Sequence, residues 1–248
     1  MKILMLHGYA QNGDIYHHKV RRLETRLCKA FPDVSFTWPD GPLKLSASDV
    51  PGYEPSHGSE QGPESLKLRA WFHLRYVQDP PLGLSQSLDM LAEVLRREGP
   101  FDGVISFSQG TVIAAMLASL LQGESRRRAY EAALRLSPKV MPYPDAFLDL
   151  QHPPFKFGVM YAGRVGRVSY YDWLYESPSI ETPFCHFIGL WDPMVDHEER
   201  DAVLKKLSGN GRSTMIVHVG GHCVPTDNDN CERVVDFVGE CIQYKSRP

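Results

Sequence analysis

Short apolar runs typical of buried strands alternate with helical patterns along most of this chain. The strand-like runs are 2–7, 34–38, 101–107, 155–162, 184–190 and 214–219. Helical patterns fall at 14–31, 85–98, 109–122 and 198–207, and a last one is set by Cys231, Val234, Val235, Val238 and Ile242. Continuous apolar strands are buried on both faces, and neighbouring parallel strands are joined by helical crossovers. The alternation therefore predicts an α/β fold with a mostly parallel central sheet and helices on both faces.

The pattern contains no internal repeat and no low-complexity linker, so we expect one domain over residues 1–248. Hydrophobic residues make up 42% of the chain, which is enough for a full core. Two Pro-rich irregular segments, 39–64 and 137–154, interrupt the alternation. Long irregular segments in compact domains are usually functional, so we expect both to lie over the functional edge of the sheet.

Charge and cysteine content narrow the function classes. A formal net charge of −3 provides no basic surplus for nucleic acid or an anionic membrane surface, so neither is an expected partner. The longest apolar run, 112–121, is too short to span a bilayer. The five cysteines form no C-x-x-C pair, which predicts free thiols and a cytoplasmic location. The sequence lacks G-x-G-x-x-G and G-x-x-x-x-G-K, so no cofactor is expected.

The sequence S-F-S-Q-G (106–110), which overlaps the end of the run 101–107, predicts a nucleophile at Ser108. Ser106 and Gly110 are small enough for a tight strand-to-helix turn that holds the serine in a strained backbone geometry. The following helix then brings its N-terminus and the N–H of Gln109 beside a developing oxyanion. The alternative interpretation is an ordinary serine N-cap ahead of a helix.

An acidic residue follows the run 184–190. Asp192 precedes a proline, and a carboxylate at the end of a buried strand suits the orientation of a catalytic imidazole. The alternative is that Asp192 only caps a turn. Asp196 is the competing acid, although the start of the 198–207 helix explains it better.

A histidine follows the last strand-like run, after two glycines that let it swing over the sheet edge. The order Ser108, Asp192, His222 is the chain order of α/β-hydrolases. A neutral serine is a poor nucleophile, so a histidine must take its proton and a carboxylate must fix the histidine tautomer. His218 and His222 have a metal-like spacing, but they lie on a strand and its loop, and we expect no metal there.

The sequence H-G-Y after the first strand predicts the second half of an oxyanion hole. Gly8 allows a close backbone approach, and the N–H of Tyr9 is the expected donor beside that of Gln109, with Ala10 as the nearest rival. Three residues are predicted to line the substrate pocket: Phe72, Val195 and Val224.

Five segments together resemble a known family. They are LMLHGYAQNG (4–13), AWFH (70–73), GPFDGVISFSQG (99–110), GLWDPMV (189–195) and HVGGHCVP (218–225). The chain resembles the fungal-type family of serine hydrolases, which is related to the ovarian-cancer-associated hydrolase and to fungal polyketide-pathway thioesterases. The resemblance implies an α/β-hydrolase fold with Ser108 as nucleophile, Asp192 as acid and His222 as base. The family normally has G-F-S-Q-G at the elbow, so Ser106 is a departure.

The expected activity is that of a serine hydrolase that forms an acyl-enzyme. We expect a thioesterase that releases a polyketide-like acyl chain by hydrolysis or lactonisation. A carboxylesterase on small oxygen esters is the first alternative, and a non-catalytic binding protein with a broken triad is the second. The basic triplet Arg126–Arg128 is expected to start a solvated helix, with contact to an acidic acyl carrier protein as the other interpretation.

Overall fold

The computed structural model describes residues 1–46, 49–50, 67–73, 81–165, 169–175, 178–195, 197–207 and 211–245. The strands are β1 (Lys2–Leu6), β2 (Ser35–Thr37), β3 (Leu43–Lys44), β4 (Arg69–Ala70), β5 (Gly103–Phe107), β6 (Phe157–Tyr161), β7 (Phe184–Gly189) and β8 (Thr214–His218). The α-helices are α1 (Gly13–Ala30), α2 (Leu84–Glu98), α3 (Gln109–Leu120), α4 (Glu124–Leu136), α5 (Asp172–Tyr175), α6 (His197–Leu207) and α7 (Asn228–Lys245).

Six strands form one parallel sheet in the order β2-β1-β5-β6-β7-β8. Met5 pairs with Ile105, and Ile105 in turn pairs with Val159, so the central strands are in register around the middle of the sheet. Every residue of β5, β6 and β7 is buried, as the continuous apolar runs predict. The expected α/β class with helices on both faces is confirmed.

The alternating side chains of β1 show how the two faces are covered. Leu4 and Leu6 belong to a core that includes residues of α2 and α3, whereas Ile3 and Met5 belong to a second core with α1 and α7. All four side chains are buried, and each contributes roughly 1.5–3 kcal/mol by leaving water. The sheet is therefore packed between two apolar layers of helices. The carboxyl ends of its strands lie between these two layers.

The described parts of the two irregular segments lie in different places. Within 39–64, only 39–46 and 49–50 are described, and there β3 pairs antiparallel with β4. The C-terminal end of the segment 137–154 does not lie at the carboxyl ends of the strands. The Phe101 N–H, which precedes β5, donates to Nε2 of His152 at 2.8 Å. This part of 137–154 therefore lies at the amino ends of the strands, because the chain there is leading into β6.

The basic triplet starts α4, but Arg126 is not solvated, which corrects the expectation. Its Nη1 donates to the Trp173 carbonyl at 2.8 Å, and its Nη2 donates to Gln122 Oε1 and to the Pro178 carbonyl, both at 2.6 Å. The side chain is fully buried, and burial lowers the pKa of Arg126 to about 10, so it stays charged at neutral pH. Arg126 therefore ties α4 to α5 and to the segment after it, whereas Arg127 and Arg128 are exposed.

All five cysteines are free thiols. Across the part of the chain that the structure describes, the helices lack the combined length and hydrophobicity needed to cross a bilayer.

Candidate active site

Ser108 stands between β5 and α3 in a strained backbone conformation, with φ 50° and ψ −118°. Non-glycine residues rarely adopt a positive φ, and the surrounding contacts keep this one in place. The Ser108 N–H donates to the Tyr161 carbonyl at 2.9 Å, and its carbonyl accepts from the N–H and the hydroxyl of Thr111 at 2.9 and 2.6 Å. The turn thereby presents the Ser108 hydroxyl toward a cavity above the sheet.

The positions on either side of the serine show why the turn needs small residues. A Cβ on Gly110 would lie 2.5 Å from the Leu6 carbonyl oxygen and 2.6 Å from that of His7, which no side chain fits. Ser106, where the resembled family has glycine, is fully buried, and its hydroxyl donates to the Val159 carbonyl at 3.1 Å. A hydroxymethyl group is therefore accommodated at 106, because its polar atom finds a partner on β6.

His222 links the serine to a buried carboxylate. Its Nδ1 lies 2.8 Å from Oδ2 and 3.1 Å from Oδ1 of Asp192, and its Nε2 lies 2.8 Å from Ser108 Oγ. A carboxylate only accepts hydrogen bonds, so Nδ1 carries the hydrogen and Nε2 accepts from the serine hydroxyl. The Asp192 side chain is 1% exposed, and its Oδ1 also accepts from the Met194 N–H at 2.8 Å. Asp196, the competing acid, lies outside the described residues.

The loops that carry the acid and the histidine are bound to each other. The Trp191 N–H donates to the Gly220 carbonyl, and the Leu190 N–H donates to the His218 carbonyl, both at 2.9 Å. A Cβ on Gly189 would lie 2.4 Å from the Gly221 carbonyl oxygen, so only glycine allows this contact. The carboxylate and the imidazole are thus positioned by backbone contacts between adjacent strand ends.

The loop after β1 passes directly beside the serine. A Cβ on Gly8 would lie 2.8 Å from the Phe107 ring and 3.3 Å from the Cβ of Ser108, so a side chain at this position would force its neighbours to move. The Gly8 N–H donates to Gln11 Oε1 at 3.1 Å. The His7 ring donates from Nδ1 to the Gly8 carbonyl at 2.7 Å, and its Nε2 accepts from the Gly41 N–H at 2.9 Å. Burial lowers the pKa of His7 to about 4, so the ring is neutral and keeps this donor and acceptor pair.

A cavity of about 600 Å³ opens at the serine. Its described lining is mostly apolar and comprises Tyr9, Ala10, Gln11, Lys19, Val50, Phe72, Pro81, Leu84, Phe107, Ser108, Gln109, Val112, Met116, Arg164, Val165, Tyr171, Met194 and His222. An apolar cavity beside a nucleophile suits an acyl chain. The segment 137–154 contributes none of these described lining residues.

Comparison with known proteins gives the same assignment as the sequence pattern. A model of the family described as Serine hydrolase (FSH1) matches residues 1–234. The chain belongs to this family. An uncharacterized hydrolase of Schizosaccharomyces pombe is 25% identical over 242 residues, which cover 96% of this chain and 50% of that protein. This serine hydrolase chain therefore spans about half the length of that relative.

Two further comparisons cover nearly the whole chain. The esterase OVCA2 of Danio rerio is 25% identical over 252 residues, covering 96% of this chain and 96% of that protein. The crystal structure of Zea mays acyl-protein thioesterase 2 superposes with a TM-score of 0.61 at 16% identity, over 98% of this chain and 94% of that one. At that identity the structural likeness shows a shared fold.

The structure places most of the predicted site residues of this serine hydrolase around one cavity. Ser108 and His222 line it, as do Phe72, Tyr9 and Gln109. The roles of the Tyr9 and Gln109 N–H groups stay predictions. Two predicted pocket residues do not line the cavity: Val195 and Val224 are buried elsewhere, and Val224 packs in the core beneath α7.

The sequence pattern did not predict several side-chain roles at the site. The Gln109 side chain accepts from the Trp71 N–H at 2.9 Å and donates to the Phe72 carbonyl at 2.6 Å, which fixes one wall of the cavity. The Thr111 hydroxyl donates to the Ser108 carbonyl, a role that its position three residues after the serine could have suggested. Lys19 reaches the cavity from α1, and no local sequence signal marks it.

Proposed function

We propose that this chain is a Ser-His-Asp hydrolase that cleaves acyl esters or thioesters through an acyl-enzyme. The observation that carries the proposal is the continuous set of hydrogen bonds from Ser108 through His222 to Asp192 at an apolar cavity. Membership of the serine hydrolase family supports it. The intact triad also argues against a role in binding alone.

In the proposed reaction, Ser108 Oγ attacks the acyl carbonyl carbon while His222 Nε2 takes the hydroxyl proton. The carbonyl oxygen becomes an oxyanion, which the N–H groups of Tyr9 and Gln109 stabilise. The bond to the alcohol or thiol then breaks, and His222 returns the proton to that leaving group. Buried Asp192 holds the Nδ1–H tautomer and stabilises the imidazolium between these two transfers.

The second half of the reaction restores the enzyme. A water molecule gives its proton to His222 and attacks the acyl-enzyme, which releases the acid and returns the proton to Ser108. An internal hydroxyl of the acyl chain can take the place of water, and the product is then a lactone.

Covalent labelling tests the nucleophile. A fluorophosphonate probe should modify the folded protein at Ser108 and should not modify heat-denatured protein. Ser106→Ala is the matched control, because it removes a buried hydroxyl two residues away and should leave labelling in place. Labelling of Ser108→Ala at the wild-type level would show that the nucleophile is another residue.

Within this activity, we propose a thioester with a long, polyketide-like acyl chain as the substrate. The apolar lining and the volume of about 600 Å³ support a long acyl group. The test compares kcat/KM for matched acyl chains presented as coenzyme thioesters, carrier-protein thioesters and oxygen esters, with Ser108→Ala as the blank. Preference for short-chain oxygen esters would favour a carboxylesterase instead.

A further inference from the structure

The cavity contains a positively charged side chain, Lys19, on the side where His222 lies. The Nζ of Lys19 is 4.3 Å from the centre of the Phe107 ring, and that ring is 5.2 Å from the His222 ring, centre to centre. Both Lys19 and His222 line the cavity that contains Ser108. A substrate group next to the imidazole therefore comes within reach of this ammonium.

The ammonium has no acidic partner within the described part of the chain. The hydrogen bonds and ion pairs of the described residues do not include the Lys19 side chain, and its ammonium lies over the Phe107 ring. Lys19 is half-buried, and burial lowers the pKa of its ammonium. A desolvated cation without a counter-ion gains from an anion that enters the cavity.

The described lining of the cavity contains no aspartate or glutamate. Its cations are Lys19 and Arg164, which come from different parts of the fold. Arg164 follows β6, and its N–H donates to the hydroxyl of Thr111 on α3, so it belongs to the α3 side. The charge of the lining therefore favours an anionic substrate, and Lys19 is the cation that contacts the same Phe107 ring as His222.

The two sides of the cavity belong to different cores of the fold. The apolar side chains of Leu84, Met116, Val165 and Tyr171 belong to the core on the α2 and α3 face, which suits the acyl chain. Phe107 belongs to the core on the α1 face, where Lys19 and the His222 loop lie. Because His222 returns the proton to the leaving group in the proposed reaction, the second side suits the leaving group.

We propose that Lys19 binds a carboxylate or phosphate carried by the alcohol or thiol that leaves the acyl group. The inference rests on the proposed function and adds a class of leaving group to it. An ammonium over an aromatic ring, partly withdrawn from water, pairs with such an anion without losing its contact with the ring. Substrates with a negatively charged leaving group are then preferred over neutral ones of the same size.

The test uses pairs of octanoyl thioesters that differ in the charge of the leaving thiol. Mercaptoacetate is compared with its neutral isostere mercaptoacetamide, and 2-mercaptoethyl phosphate is compared with 2-mercaptoethanol. The ratio of kcat/KM for the charged to the neutral thioester is measured in wild type and in Lys19→Met. Taking the ratio between the two proteins cancels the different intrinsic reactivities of the thioesters.

We expect the ratio to fall roughly tenfold or more in Lys19→Met, as for loss of a charge-assisted hydrogen bond. Lys19→Arg keeps the charge and should restore most of the preference. Lys29→Met is the matched control, because it removes a positive charge from the exposed end of the same helix and should leave the ratio unchanged. The pair with the larger fall shows whether a carboxylate or a phosphate is preferred.

Two negative results have different meanings. If Lys19→Met changes the charged and neutral thioesters equally in both pairs, Lys19 does not recognise an anion and the inference is wrong. If the wild type neither hydrolyses any thioester nor reacts with a fluorophosphonate, the proposed function fails, and the inference fails with it.

Discussion

A buried histidine on β7 should make this protein sensitive to mild acid. His186 lies on β7, is 1% exposed, and has no hydrogen-bond partner on either ring nitrogen among the residues that the structure describes. Burial lowers the pKa of His186 to about 4. In the unfolded chain the pKa of this histidine is near 6.5. Between about pH 4 and pH 6.5, His186 is therefore protonated in the unfolded chain but neutral in the folded protein.

The sign and size follow from linkage. Because the unfolded state holds more protons below about pH 6.5, stability falls as the pH decreases and levels off below about 4. With those two pKa values, the contribution of His186 to the free energy of unfolding drops by about 2 kcal/mol between pH 7.5 and 5. His186→Leu removes the titrating group and both unpartnered nitrogens, so it should be more stable than wild type at both pH values.

Urea unfolding at pH 7.5 and at pH 5 measures the effect. The stability advantage of His186→Leu over wild type should widen by about 2 kcal/mol at the lower pH. His7→Leu is the matched control, because the pKa of His7 is also about 4 but both its nitrogens are hydrogen-bonded. That variant should lose stability at pH 7.5. An equal difference between His186→Leu and wild type at the two pH values would refute the reasoning.

Three further predictions concern the catalytic site and the helices. Asp192→Asn should lower kcat on the order of 10⁴-fold because the imidazole tautomer is lost; a near-normal rate, with an inactive Asp196→Asn, would move the acid to position 196. Gly110→Ala places a Cβ 2.5 Å from the Leu6 carbonyl oxygen, so it should lower stability by about 3 kcal/mol in thermal melts, and an unchanged melting temperature would contradict this packing. Arg126→Met leaves the Trp173 and Pro178 carbonyls without their donor and should cost about 3 kcal/mol in urea unfolding, with fluorophosphonate labelling retained; a neutral effect would mean that water replaces the guanidinium.

The order of the elements was predictable because burial has a local signature. Leu88, Leu91, Val94 and Leu95 have helical spacing, and all four are buried on one face of α2. The runs that became β5, β6 and β7 are continuously apolar because both faces of the sheet are covered. Ser108, Asp192 and His222 could be selected because each lies within four residues of the end of a strand, and parallel strands end at a common edge.

Contacts between distant segments left no such signature. Arg126 reads as a surface charge in a basic triplet, yet carbonyls some 50 positions away enclose it, as its contacts with Trp173 and Pro178 show. Val195 and Val224 are close in sequence to the acid and the histidine, but the loops turn their side chains away from the cavity. Which side of a loop faces a cavity depends on backbone direction, and periodicity does not report it.

The sequence by itself determined the sheet, the tight turn at Ser108 and the chain order of the proposed triad residues, because strand burial and tight turns depend on neighbouring residues. Only the tertiary structure decided what surrounds them. Lys19 lies 89 positions before Ser108, yet α1 packs its ammonium over Phe107 beside the histidine loop. Such a contact depends on how a helix packs on a sheet. The position of the Lys19 charge in the cavity is therefore defined only in the folded chain.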